Sequence, residues 1–146
     1  MSNYSSILTL IDLATQQSEK AGLRLSQANF AYQEEIKKLE LLTDYRNQYG
    51  EQLDNKMAQG LNMSAYNNYQ TFLSNLNKAI NQQQKTVNSN KNIVDHYRKE
   101  WQKAEQKRLS FQTLNDRNRL INRINENKTE QKLNDEMSSR LQQVRI

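Results

Sequence analysis

Positions 66, 69, 73, 76, 80, 83, 87, 90, 94, 97, 101, 104, 108 and 111 step by three and four without interruption, and their occupants are mainly apolar: Tyr66, Tyr69, Leu73, Leu76, Ile80, Gln83, Val87, Asn90, Val94, Tyr97, Trp101, Ala104, Arg108 and Phe111. A stripe of that period, sustained over about six heptads, specifies one long helix that must cover a narrow face with a partner helix. It leaves no room for the layered sheets and deep clefts on which most enzymes are built.

The partner is upstream in the same chain. Ile7, Ile11, Ala14, Ser18, Ala21, Leu25, Ala28 and Tyr32 repeat the spacing, and after a four-residue stutter Ile36, Leu39, Leu42, Tyr45, Tyr49, Leu53 and Met57 carry it on. Between the stripes lies Gln59-Gly60-Leu61-Asn62-Met63-Ser64, where Gly60 suits a left-handed residue past a helix end and Asn62 or Ser64 can cap the next helix. The pattern predicts an all-α fold: a long antiparallel two-helix coiled-coil hairpin with the second helix the longer. We place helix one at about residues 5–57, the tip at about 58–64, a paired part of helix two at about 65–118, and a partly unpaired C-terminal overhang at 119–146, in one domain spanning 1–146.

Composition fits a thin hairpin better than a globule. There is no proline, there are three glycines, and the mean hydropathy is −1.05. Asn and Gln make up about a quarter of the chain, and asparagine is a poor helix former, so packing along the seam has to supply most of the stability. In the overhang the apolar residues thin out to Leu120, Ile121, Ile124, Leu133, Met137, Leu141 and Val144, and a lone helix of that kind is marginal in water. We expect it to be dynamic when free and ordered when bound.

The absence of cysteine removes disulfides and thiolate chemistry. No signal peptide or membrane span is evident, so a cytoplasmic address is the default expectation. The formal charge of +5 lies in the C-terminal third. There the signs alternate among amides, unlike the concentrated footprint of a nucleic-acid binder, so no nucleic acid is expected as partner.

Catalytic chemistry is not in evidence. His96, the sole histidine, falls beside the seam and reads as a solvated helical residue. Glu34-Glu35 and Asp135-Glu136 are sequence neighbours that do not face each other on a helix. No phosphate-binding loop, zinc-protease motif or nucleophile elbow occurs. We expect a protein that is not an enzyme and uses no cofactor or metal. Gln83, Asn90 and Arg108 interrupt the seam, and their expected role is to fix the register of the two helices.

The apolar face widens near the tip. Projected at ~100° per residue, Leu42, Tyr45 and Tyr49 spread away from the Leu39–Leu53–Met57 line, and Phe72 and Ala79 do so beside Tyr69, Leu73 and Ile80. Two helices bury only the strip between them. Leu42, Tyr45, Tyr49, Phe72, Leu76 and Ala79 should therefore form a partly exposed ledge, an interaction surface unless a third helix or the rings themselves fill it.

The same residues carry a family likeness. The segments LLTDYRNQY (41–49), NYQTFL (68–73), LNKAI (76–80), WQK (101–103), KRL (107–109), QTLNDR (112–117) and EQKLNDE (130–136) closely resemble the FliJ family of the bacterial flagellar type III export apparatus, over nearly the whole chain. The resemblance implies a non-enzymatic, stalk-like component of flagellar protein export. Such a rod binds the hexameric export ATPase ring, promotes its assembly and activity, contacts the cytoplasmic domain of the export-gate membrane protein, and escorts export chaperones. It also implies a monomer when free, at the cytoplasmic face of the inner membrane, and a gate-binding surface at Leu42, Tyr45, Tyr49, Phe72, Leu76 and Ala79. Two positions depart from the family pattern: Lys38 replaces the usual amide, and Gln83 a histidine. Arg117, Arg119, Arg123, Lys128 and Lys132 are expected to steer the overhang into an acidic ring lumen. The alternatives are a structural coiled-coil protein that homo-oligomerises, or the equivalent stalk of a virulence injectisome.

Overall fold

The computed structural model describes residues 2–144, and side chains from Ser6 onward. Two helices make up its regular structure, α1 (Ser2–Gln59) and α2 (Met63–Val144). The architecture is all-α, an antiparallel two-helix coiled-coil hairpin with the second helix longer. Met1, Arg145 and Ile146, included in the one-domain expectation, lie outside the described residues.

The helix ends differ from the sequence expectation in a way the local chemistry explains. The break contracts to residues 60–62, because one glycine and one asparagine suffice to make it. Gly60 takes φ +96°, the left-handed conformation that favours glycine, and its amide donates to the Met57 carbonyl at 3.2 Å. Of the two candidate caps Asn62 is used: its Oδ1 accepts from the Ala65 amide at 2.8 Å, and its carbonyl accepts from the Tyr66 amide at 3.0 Å. With Asn62 as cap, Met63 starts α2 and Ser64 is already helical. At the other end α1 starts at Ser2, ahead of the expected residue 5.

The chain divides into two compact units, residues 19–102 and residues 1–18 with 103–146. In the 19–102 unit, pairs closing in on the turn define the antiparallel register: Gly22 with Trp101, Glu35 with Gln83, and Tyr49 with Tyr69. Ala28, Leu53, Val87 and Val94 are its buried apolar residues. Burial of these side chains removes apolar area from water at about 25 cal/mol per Å² and supplies what the amide-rich surface cannot. Trp101 rests against Gly22, where a Cβ would stand 3.4 Å from its Cδ1 and Nε1, so a small residue opposite the indole sets the closeness of the helices there.

In the other unit Ala14, Ser18 and Asn115 are buried, and every residue at 119–144 is exposed, although the helix continues to Val144. Ser18 donates its hydroxyl to Glu105 Oε1. Arg108 grips the same carboxylate twice, Nη2 to Oε2 at 2.8 Å and Nε to Oε1 at 3.1 Å, and reaches Gln112 at 3.0 Å. The arginine that interrupts the seam is thereby tied across to α1 through Glu105. Gln83 acts similarly, donating to the Glu35 carbonyl at 2.9 Å and carboxylate at 2.6 Å. Asn90 does not cross the seam; it donates to the Thr86 carbonyl of its own helix at 3.0 Å.

Candidate functional site

The ledge forms next to the turn because two apolar stripes on α1 compete for one seam. Leu39, Leu42, Tyr49 and Leu53 turn inward, and Arg46 rather than Tyr45 occupies the position between them. An arginine can lay its aliphatic stem along apolar surface and keep its charged head in water, which leaves the outer place to the tyrosine. Tyr45 is 55 % exposed and Phe72 45 %. Met57, expected on the α1 stripe, lies on the surface instead, and Tyr45, placed both on the stripe and on the partly exposed ledge, is exposed.

Of the six ledge residues, Leu42, Tyr49 and Leu76 are half-buried and form the floor, while Tyr45, Phe72 and Ala79 are exposed. Tyr49 joins the two helices: its ring centroid lies 4.3 Å from Phe72 and 4.9 Å from Tyr69, tilted by 41° and 44°. The tilted stack fixes Phe72 and Tyr69 relative to α1 without covering Phe72. Lys56 Nζ sits 5.3 Å above the Tyr69 ring on the turnward side, a cation–π distance. The rings thus fill part of the gap and leave an apolar face open, which suits an apolar or aromatic side chain of a partner.

Lys38 borders this region and pairs with Glu35 at 3.4 Å. The same Glu35 accepts from Gln83, which, ahead of Lys38, holds its carboxyl below the usual carboxylate range. Lys38 and Gln83 therefore meet on one carboxylate.

The five C-terminal cations, Arg117, Arg119, Arg123, Lys128 and Lys132, are exposed on α2. They fall in the unit without Tyr45 or Phe72. His96 is exposed, its ring 5.3 Å from that of Tyr97. Among the described residues no cluster of His, Cys, Asp or Glu has metal-holding geometry, and no helix is long and apolar enough to cross a membrane.

Sequence reasoning missed the opposite side of the tip, where Arg46, Gly50 and Asp54 face Gln70, Ser74 and Lys78 across an open groove. Periodicity reads such polar residues as solvated surface. The one available signal was Gly50, a mid-helix glycine with no capping role.

Comparison with known proteins bears on the whole chain. The family model described as "Flagellar FliJ protein" matches residues 4–145. Flagellar FliJ proteins of Escherichia coli (strain K12) and Salmonella typhi are each 31 % identical over 140 residues, covering 96 % of this chain and 95 % of theirs. A solved structure of a YscO homolog from Chlamydia trachomatis aligns with TM-score 0.76 over 99 % of this chain and 93 % of its own, at 18 % identity, a likeness of fold alone.

Proposed function

The chain belongs to the flagellar FliJ protein family, a component of flagellar type III protein export, and from that premise we propose that it acts as a stalk between the export ATPase ring and the export gate. The observation that carries the reading is the division of labour along α2: an apolar ledge beside the turn, and a helix whose residues 119–144 are all exposed. The ledge receives the cytoplasmic domain of the export-gate membrane protein, with Tyr45 and Phe72 as anchors on the floor of Leu42, Tyr49 and Leu76, and Ala79 leaving room beside them. The uncovered helix enters the ATPase ring, steered by Arg117, Arg119, Arg123, Lys128 and Lys132. Attraction of that kind weakens as salt shortens the range of the field.

On this reading the protein carries out no reaction. It is monomeric when free, works at the cytoplasmic face of the inner membrane, promotes assembly and activity of the ATPase hexamer, and escorts empty export chaperones. A pull-down with two baits tests the assignment. The purified export ATPase should retain the full chain and lose a version ending at Asn118, while the gate domain should retain both and lose Tyr45→Ala/Phe72→Ala. Loss of both baits on either change, or of neither, contradicts it.

A further inference from the structure

The 19–102 unit has a second surface on the side of the tip away from the ledge. Projected at ~100° per residue about Leu53, Tyr45 and Tyr49 fall to one side and Arg46, Gly50, Asp54 and Met57 to the other. About Tyr69, Phe72 and Ala79 fall to the ledge side, and Tyr66, Gln70 and Asn77 to the opposite side. Between these second sets runs an open groove of about 780 Å³.

Its charges are ordered along the axis. Glu51 and Asp54 line the end nearer the turn, Arg46 and Lys78 the far end, and among the described residues none of the four takes part in an ion pair. Between them lies Gly50, in mid-helix, opposite Ser74. The fold does not require this glycine: φ is not positive, and no heavy atom lies within 4 Å of where its Cβ would stand. A poor helix former held over open space lowers the groove wall so that another backbone can approach closely.

One turn further on, Met57, Leu61, Met63 and Tyr66 line an apolar pocket of about 310 Å³. Gln70, in the groove, donates to the Tyr66 hydroxyl at 3.1 Å and so joins groove and pocket into one continuous surface. Met57 and Met63 are 51 % and 71 % exposed, and methionine adapts its shape to an inserted apolar group.

We propose that this surface docks a helical segment of a partner protein. A third helix is the natural occupant of a groove between two. Complementarity sets its chemistry: in order along one face, an apolar anchor for the methionine pocket, a basic residue beside Glu51 and Asp54, a small residue over Gly50, and an acidic residue beside Arg46 and Lys78. From Met57 to Arg46 is about three helical turns, roughly 16 Å at the α-helical rise, and the occupant spans the same length. This inference stands apart from the stalk reading and does not depend on it.

The test uses the full chain with ¹³C-labelled methionine methyl groups and a stapled helical peptide carrying Leu, Lys, Ala and Glu three to four residues apart on one face. Its control is the same peptide with the order reversed. The Met57 and Met63 methyl signals should move while Met137 stays still, and the matched peptide should bind at least tenfold more tightly than the reversed one. Arg46→Glu/Lys78→Glu should lose at least tenfold and regain it for a peptide with Lys in place of its Glu. Gly50→Leu, which favours the helix and so keeps the fold, should abolish binding, whereas Tyr45→Ala/Phe72→Ala should not change it. Equal binding of the two peptides, movement of Met137, or loss of binding in the ledge variant would overturn the proposal. So would a mass that rises with concentration in the wild type and not in Gly50→Leu, since the occupant would then be a second copy of the chain.

Discussion

Replacing Gly50 by alanine should stabilise the protein by about 1 kcal/mol, the usual difference between the two residues inside a helix, because the structure offers the new methyl group open space with nothing within 4 Å. The same change at Gly22 meets Trp101, whose Cδ1 and Nε1 stand 3.4 Å from the Cβ position. At that distance the indole must give way slightly, so the propensity gain of about 1 kcal/mol is offset and the net effect should lie within roughly 0.5 kcal/mol of zero. Gly22→Val adds two further methyl groups against the indole and should cost about 1–3 kcal/mol. Trp101 is the single tryptophan, so its fluorescence reports the seam directly during urea unfolding. For a chain of this size 1 kcal/mol corresponds to a rise of about 2–4 °C in Tm. If Gly22→Ala stabilises as much as Gly50→Ala, the indole does not pack on Gly22 and the pairing of Gly22 with Trp101 is wrong. If Gly50→Ala gains nothing, α1 is not a regular helix at that point.

Leu53 is 4 % exposed beside the turn, and Leu53→Ala should cost about 2–4 kcal/mol in the same assay. Folding holds the Glu105 carboxyl at about 2, chiefly through Arg108 and then Ser18, below the ~4.3 of an unfolded glutamate. Its contribution is therefore complete above pH ~4.3 and is lost as pH falls toward 2; the unfolding midpoint measured across that window should fall more steeply in the wild type than in Glu105→Gln. Gln83→Glu would set a second carboxylate where Glu35 now accepts a hydrogen bond, and should lower stability at pH 7 and recover part of it at pH 4. Truncation after Asn118 removes only exposed side chains among the described residues, so it should leave the Trp101-reported midpoint within about 0.5 kcal/mol of the full chain, as surface changes do.

The seam was legible because its residues repeat. Every position of the α2 stripe from Tyr66 to Phe111 is shielded in the structure, and the helix break is where a glycine and a cap placed it. The α1 stripe was less so: between residues 39 and 57 two apolar rows run side by side, and a period alone does not choose Arg46 over Tyr45. Among the six ledge residues the exposure of Tyr45 and Phe72 follows from the helix projection, but the stacking of Tyr49 on Phe72 and Tyr69 depends on register across the hairpin. Glu105 illustrates what periodicity hides. It lies next to a seam position and reads as surface, yet it links Ser18 to Arg108. The groove at Gly50 was invisible for the same reason, since polar residues carry no phase signal.

Whether this chain is the stalk of the export ATPase is tested most directly by the rate of ATP hydrolysis of the purified flagellar enzyme, titrated with the full chain. Stimulation should saturate at one chain per hexameric ring, fall with added salt, and be absent for the version ending at Asn118. A rate that does not respond to the full chain, or that the truncated version raises equally, contradicts the stalk reading.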